Sequence, residues 1–387
     1  MLIINEIEKI FRSKFGAAPD VFCSPGRINM IGEHTDYNNG LVLPAAIDKY
    51  ILLGITKRQD KEIHIYSLDY QEMYVSSLKK LEPSGKLWPD YILGVIDEVQ
   101  KSGKELEGLN IMFGGDIPLG AGLSSSAAIE CATAFALNTI FDLGFSPLEL
   151  AKIGQSAENK FVGVKCGIMD QFASIFGKAK NLIKLDCENF NYSYIPFNTK
   201  EYGIVLFDTQ VKHSLASSAY NERRSECEHG VELVHKHHPE VKSLRDVTHD
   251  MLNDYVKEVD EVVYRRCNFI VNEIERLEDA CNDLLANDFI QFGKRMFETH
   301  EGLQNEYEVS CLELDFLVDF VKAHSDVIGA RMMGGGFGGC TINLIRTEAI
   351  DEIVSQVSDA YKRQMGIELK IYRVSIEDGT RMIKGKL

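Results

Sequence analysis

Positive charge is scarce in this sequence. Among 387 residues, 42 Lys and Arg stand against 58 Asp and Glu, a net charge of −16. That balance argues against binding nucleic acid or attaching to anionic membranes, and a polyanionic ligand would have to find locally positive groups. No apolar run approaches transmembrane length. No Cys-x-x-Cys pair occurs, and the nine cysteines are scattered and odd in number, which suits a reducing cytosol better than a disulfide framework. No internal repeat is present. The first 15 residues carry Ile3, Ile4, Ile7, Ile10 and Phe11 at helical spacing, interrupted by Glu6, Glu8, Lys9 and Arg12. They read as an amphipathic helix and not a signal peptide. Hydrophobic residues make up 45%, enough for packed interiors, and the length exceeds one typical core. Two domains are therefore expected, 1–178 and 179–387, divided in the Lys178–Asn181 stretch.

The most informative stretch is Pro118-Leu119-Gly120-Ala121-Gly122-Leu123-Ser124-Ser125-Ser126-Ala127-Ala128. Leu109 to Phe113 before it reads as a strand, and Ala127 to Phe141 after it as a buried helix. A glycine-rich turn with three serines thus opens a helix. Helix N-termini present unpaired N–H groups and the positive end of the macrodipole, so the turn is suited to cradle phosphate. A helix merely capped by Ser124 or Ser125 is the plainer alternative. No Gly-Lys-Ser/Thr follows, so this is not a Walker A loop, and Ser125 stands where a dinucleotide fingerprint needs its third glycine.

Elsewhere the chain offers further candidates. Residues 21–48, VFCSPGRINMIGEHTDYNNGLVLPAAID, pack Arg27, Asn29, Glu33, His34, Asp36, Asn38 and Asn39 between two apolar stretches. A surface loop could have this composition, but charge and amide braced on both sides favour recognition. Strands are expected at Ile51–Thr56, Glu62–Leu68 and Gln71–Ser76, and a helix at Asp90–Gln100. Trp88, the one tryptophan, and Tyr91 are either core or a wall for a flat base. A second helix, Pro147 to Phe161, contains Glu158. Asp170, in Gly167-Ile168-Met169-Asp170-Gln171-Phe172, sits among apolar neighbours; taken alone it reads as an N-cap. The polar segment 211–228 opens a helix, and long helices follow near 259–285, 288–307 and 311–324. His235-Lys236-His237-His238 reads as a solvated helix end, since a metal site needs convergent ligands. The run Gly334 to Gly339 matches G-x-G-x-x-G formally, but a strand and not a helix follows it. It suggests backbone packed closely on another loop or a ligand. Strand 340–345, helix 348–364 and strand 368–375 read as a βαβ unit, so the second half is an α+β sandwich.

Three motifs, Gly26-Arg27-Ile28-Asn29-Met30-Ile31-Gly32-Glu33-His34-Thr35-Asp36-Tyr37, the turn at 118–128 and the glycine run at 333–340, together resemble the GHMP small-molecule kinases. Within them the first motif resembles the galactokinase signature, and Gly167 to Gln171 and the segment around Tyr220 also look like that family. Met30 replaces the usual Leu, and Ala121 stands where Gly is also common; neither change removes a reacting group. The resemblance implies an α+β, two-domain fold with the active site in the cleft between the N- and C-terminal domains. It implies ATP-dependent phosphorylation of D-galactose to α-D-galactose 1-phosphate, the first phosphorylation of galactose catabolism, by a cytoplasmic monomer without nucleic-acid or membrane partners. Pro118, Gly120, Ala121, Gly122, Leu123, Ser124, Ser125 and Ser126 would hold the ATP phosphates, with Trp88 and Tyr91 near adenine. Ser126 and Glu158 would hold Mg²⁺. Asp170 would face the anomeric hydroxyl, with Arg27 between it and the γ-phosphate, and Glu33, His34, Asp36, Gly167 and Tyr220 would hold the sugar.

Those placements agree with the chemistry. Phosphoryl transfer asks mainly for alignment and charge neutralisation. Magnesium keeps several waters, so one hydroxyl and one carboxylate suffice. A carboxylate in hydrogen-bond reach can take a sugar hydroxyl's proton, and an arginine fork matches phosphate and carboxylate together. Two other readings stay open: a kinase for another sugar such as N-acetylgalactosamine, and a sugar- and ATP-binding regulator without catalysis. The presence of Arg27, Ser126, Glu158 and Asp170 argues against the second.

Overall fold

The structure is a computed structural model that describes residues 2–118, 120–197, 200–212 and 216–385. Leu119, at the tip of the expected phosphate turn, and residues 213–215, in the expected 211–228 segment, lie outside the described residues. The first half runs α1 (Leu2–Phe15), β1 (Asp20–Asn29), β2 (Leu41–Val42), β3 (Pro44–Arg58), β4 (Glu62–Ser67), β5 (Glu72–Ser77), α2 (Leu87–Lys101), β6 (Gly108–Gly115), α3 (Ser125–Phe141), α4 (Pro147–Ala157) and α5 (Met169–Phe176). Then come β7 (Asn181–Asp186), β8 (Tyr192–Pro196), β9 (Tyr202–Lys212), α6 (Ala216–His235), α7 (His249–Tyr255), α8 (Glu261–Leu285), α9 (Phe289–Asn305) and α10 (Leu312–Lys322). The chain closes with β10 (Val327–Met332), β11 (Gly338–Arg346), α11 (Ile350–Met365), β12 (Lys370–Val374) and β13 (Arg381–Lys384). Among the described residues, no helix is long and apolar enough to cross a membrane.

Six strands form one sheet in the order β13-β1-β3-β6-β4-β5, antiparallel except for the β4–β6 pair. Side chains alternate across it with the period of two that a strand dictates. On β3, Ile51, Leu53 and Ile55 face the main core under α2, α3 and α4. Leu52 faces the opposite side, where α1 covers it with Ile7 and Phe11. The amphipathic N-terminal helix expected from the sequence is therefore the lid on the second face of this sheet.

A four-stranded antiparallel sheet, β10-β11-β9-β12, carries α10 and α11 on one face. Its other face joins the main core: Val205 and Phe207 on β9 pack under the helices, whereas Ile204 and Leu206 point into the shared interior. The expected βαβ unit is present in modified form. β11 and β12 are parallel to each other, but each pairs antiparallel with β9, which lies between them. Helix α9 lies against β10, and a Cβ on Gly293 would overlap the Ile328 carbonyl, so only glycine permits this approach.

Two strand pairings cross the expected division at 178/179: β2 pairs with β7, and the terminal β13 returns to β1. The halves share one core and meet along a cleft. Two local expectations change. The second helix stops as α-helix at Ala157 and continues as a π-helical turn, Glu158–Val162, closed by Gly163 in the left-handed region. The chain at 235–238 is the end of α6, as expected, with the His237 ring stacked on Tyr255.

Candidate active site

The first strand sets the site. Gly26 has no room for a side chain because the Leu123 carbonyl would lie 2.7 Å from a Cβ. The next residue, Arg27, then binds the 118–126 turn twice, its backbone N–H donating to the Leu123 carbonyl (3.2 Å) and its Nη1 to the Gly122 carbonyl (2.6 Å). The rest of the guanidinium forms a two-pronged pair with Asp170: Nε donates to Oδ1 at 2.8 Å and Nη2 to Oδ2 at 2.9 Å. Arg27 is buried and Asp170 is about a quarter exposed, at 26% of its side chain. This fork geometry fixes both the distance and the plane of the carboxylate.

The alternative capping roles do not occur. Ile168 is the N-cap of α5, and Asp170 sits inside its first turn, facing Arg27. Ser124 occupies the N-cap position of α3 in a left-handed conformation (φ 57°) and makes no cap bond. Its hydroxyl donates instead to Asp170 Oδ2. Gly120 and Gly122 also take positive φ, while the buried Ala121 and Leu123 anchor the turn in the core. The open N-terminus of α3 is thereby left free of side-chain caps beside the Arg27–Asp170 pair.

Arg27, Glu33, His34, Asp36, Gly167, Asp170 and Tyr220 all line one cleft of about 150 Å³, completed by Cys166, Met169, Gly334 and Gly335. A lining so rich in charged and polar groups suits a small polar molecule. A Cβ on Gly167 would overlap the Asp36 carboxylate, so glycine is the residue that lets this wall close on it. Glu33 is fixed through Oε1, which accepts from Arg331 Nη2 (3.0 Å) and the Gly334 N–H (2.9 Å). Its Oε2 takes no hydrogen bond among the described residues. His34 lies in the left-handed region (φ 63°), an uncommon state for a non-glycine residue and one that clusters at functional sites. Its Nδ1 pairs with the Tyr37 hydroxyl at 2.8 Å. Burial pushes its imidazole down to about 4, so the ring is neutral. The Tyr220 ring packs on it at 5.4 Å.

Ser126 lies near Glu158, and its hydroxyl favours the charged form of that carboxyl. The π-helical turn aims the buried Glu158 there, and Gln171 Nε2 bridges it (2.8 Å) to Glu130 on α3 (2.9 Å). Burial and the Asp170 charge raise the Glu158 carboxyl, and burial raises Glu130 well above its ordinary value. Glu130 Oε1 and Gln171 Oε1 have no hydrogen-bond partner. A hydroxyl and a carboxylate, backed by unsatisfied oxygens and a second negative charge, are a donor set that fits a hard divalent cation such as Mg²⁺. Among the described residues, no three His, Cys, Asp or Glu side chains form a protein-only metal cage. Trp88 and Tyr91 stand apart from the cleft. Trp88 is 8% exposed in the core, stacked on the exposed Tyr70 at 6.0 Å. Tyr91 is half-buried beside it on α2, and burial raises its phenol.

Four groups here were not singled out from the sequence: Arg331, Gln171, Glu130 and Tyr307. A signal existed for two of them. Arg331 is a lone charge in the apolar run Val327–Met333, and Glu130 a lone carboxyl in an apolar helix. Such isolation marks a buried partner. Arg331 is fully buried, its guanidinium donating to the Met30, Asn29 and Met332 carbonyls as well as to Glu33. It ties the signature loop to the strand that leads into the glycine run. In that run, Gly336 lies against the Val309 carbonyl, the close packing expected of it.

Asp36 yields a test. Burial, then the Asp170 charge, push its carboxyl up to about 7. A carboxyl raised on folding costs stability once the unfolded chain ionises, and the cost grows as pH rises from about 4 to about 7. Asp36→Asn should therefore raise the melting temperature of the free protein at pH 8 more than at pH 4. A gain independent of pH, or a loss at pH 8, would contradict the assignment.

The comparisons with known proteins cover the same elements. Residues 9–57 match the galactokinase galactose-binding signature, 90–178 the N-terminal domain of GHMP kinases and 280–363 their C-terminal domain. The chain is 42% identical over 360 residues to the galactokinase of Thermotoga petrophila, covering 93% of this chain and 99% of that one. To the galactokinase of Clostridium acetobutylicum it is 41% identical over 393 residues, covering 99% and 100%. The crystal structure of Lactococcus lactis galactokinase complexed with galactose superposes with a TM-score of 0.94 at 32% identity, over 98% of this chain and 100% of that one. A mevalonate kinase structure, 20% identical with a TM-score of 0.65, shares the fold. With the full length of its relatives matched and the two-domain α+β architecture in common, the chain belongs to the galactokinase family of the GHMP kinases.

Proposed function

We propose that this protein transfers the γ-phosphoryl group of ATP to the anomeric hydroxyl of D-galactose, giving ADP and α-D-galactose 1-phosphate. The observation that carries the reading is the Arg27–Asp170 pair, which stands where the polar cleft meets the open N-terminus of α3. Galactose occupies the cleft, its hydroxyls paired with Glu33 and Asp36 and with His34, while Tyr220 packs beside it. We assign Asp36 to the hydroxyls at C3 and C4 and Glu33 to that at C6; the vacant Oε2 of Glu33 supports the second assignment. ATP lays its phosphates along Pro118 to Ser126, with Trp88 and Tyr91 on the adenine side.

The step follows from these positions. Asp170 accepts the proton of O1 as O1 bonds to the γ-phosphorus, and the bond from that phosphorus to the β–γ bridging oxygen breaks, releasing ADP. Arg27 keeps the Asp170 carboxylate in plane and offers its guanidinium to charge that builds on the transferring group. Ser126 and Glu158 would hold Mg²⁺, which neutralises phosphate charge when bound. Gln171 holds Glu158 in place. We take a monomer as the working unit, and the nine free cysteines suit the cytoplasm.

Purified protein with Mg²⁺, ATP and galactose should release ADP, with kcat/KM at least about 10²-fold above that for glucose or N-acetylgalactosamine, the scale of two lost hydrogen bonds. Asp170→Asn should lower kcat by at least about 10²-fold and change galactose affinity far less. Near-normal turnover in that variant removes Asp170 as the base. Better turnover of N-acetylgalactosamine moves the protein to the other sugar, and ligand binding without product favours a regulator.

Magnesium has its own test. Glu158→Gln should raise the Mg²⁺ concentration needed for half-maximal rate while calorimetric galactose binding stays nearly intact. A folded variant with an unshifted Mg²⁺ requirement would make Glu158 structural.

A further inference from the structure

Behind His34 runs a chain of hydroxyls that no substrate reaches. Nδ1 of His34 pairs with the Tyr37 hydroxyl at 2.8 Å, and that hydroxyl pairs with the Tyr307 hydroxyl, again at 2.8 Å. The Tyr307 hydroxyl meets Cys227 Sγ at 3.2 Å. Tyr307 is fully buried, from the segment after α9, and Cys227 is buried on α6. The chain therefore crosses from the signature loop into the other half of the molecule. Asn38 braces its first member: its Nδ2 donates to the His34 carbonyl at 2.8 Å. His34 Nε2 is buried and makes no hydrogen bond of good geometry; the backbone of Gly335, which lines the cleft, is its polar neighbour and favours a proton on the ring.

Each hydroxyl in such a chain has one proton, so the whole chain points one way or the other. In the first direction the Cys227 thiol donates to Tyr307, Tyr307 to Tyr37, and Tyr37 to Nδ1; the ring proton then sits on Nε2. In the reverse direction Nδ1–H donates to Tyr37, Tyr37 to Tyr307, and Tyr307 ends on sulfur. The first ends a phenol on a neutral imidazole nitrogen, a strong acceptor, whereas the second ends one on sulfur, a weak acceptor.

We propose that Tyr307, acting through Tyr37, is a positioning residue that holds His34 as the Nε2–H tautomer, so that His34 meets the substrate as a hydrogen-bond donor. A sugar hydroxyl that accepts from His34 is then free to donate its own proton to a neighbouring carboxylate, Glu33 or Asp36. This orientation makes the pair of contacts directional, and a wrongly placed hydroxyl leaves the buried N–H unpaired. The sugar role rests on the galactose reading given above; the tautomer does not.

The tautomer is measured first in the free protein, by two-bond 1H–15N correlations on 15N-histidine-labelled chain, with His34→Gln to assign the ring. Wild-type should show the proton on Nε2. Tyr307→Phe should introduce an Nδ1–H population and raise the KM for galactose about fivefold or more, the scale of one hydrogen bond, with kcat and the KM for ATP little changed. Tyr37→Phe, which removes the direct donor, should shift the tautomer further, and serves if the first variant fails to fold. A wild-type ring protonated on Nδ1, or folded variants with unaltered tautomer and galactose KM, would overturn the proposal. The predicted tautomer response without any galactose turnover would leave the proposal standing and remove the sugar reading alone.

Discussion

The two-pronged contact between Arg27 and Asp170 is the constraint on which the site depends. One guanidinium reaches the carboxylate of α5 with two nitrogens and the glycine-rich turn before α3 with the third, and its own backbone N–H binds that turn again. Strand β1, the turn before α3 and the start of α5 are thereby held together. Only one of the two charges is fully buried, so the carboxylate keeps an open side toward the cleft. Removing either partner leaves the other charge unpaired in a partly desolvated place, an arrangement that costs far more than the pair itself contributes.

A second buried arginine does for the signature loop what Arg27 does for the turn before α3. Arg331 gathers three backbone carbonyls and Glu33, which fixes the signature loop against β10. The charge of the site is otherwise negative. Glu33, Asp36, Glu158, Glu130 and Asp170 lie around two arginines, and burial raises Asp36, Glu158 and Glu130, which lets protonation reduce part of that charge. A protein of net charge −16 that handles a polyphosphate needs this excess offset locally. The open end of α3 and the two arginines supply part of that offset, and a divalent cation held by Ser126 and Glu158 would supply more.

What could be read from the sequence was what lies contiguous in it. The signature at 26–37, the glycine turn and the glycine run each carry their residues within a dozen positions, and the residues expected to bind the sugar line one cleft. What could not be read depends on partners far along the chain. Ser124 and Asp170 have the composition of helix caps, and only their meeting across 46 residues takes them out of that role. Glu158 lies on a π-helical turn that a helical pattern does not reveal. The expected βαβ unit missed β9, which inserts between the two strands from far earlier in the chain. Tyr307 showed no local signal, because its function in the fold is set by Tyr37 and Cys227 from two other segments. Trp88 remains the least informative residue, since a buried aromatic beside an exposed Tyr70 suits both a core and the wall of a base pocket.

The central claim is that the Arg27–Asp170 pair directs phosphoryl transfer to the anomeric oxygen. It is tested most directly by product analysis with galactose carrying ¹³C at C1, ATP and Mg²⁺. The account predicts a single phosphorus resonance from the sugar phosphate, split by two-bond coupling to the labelled carbon, with the proton coupling of an α anomer. A sugar phosphate without that splitting, or inorganic phosphate as the sole product, would contradict it.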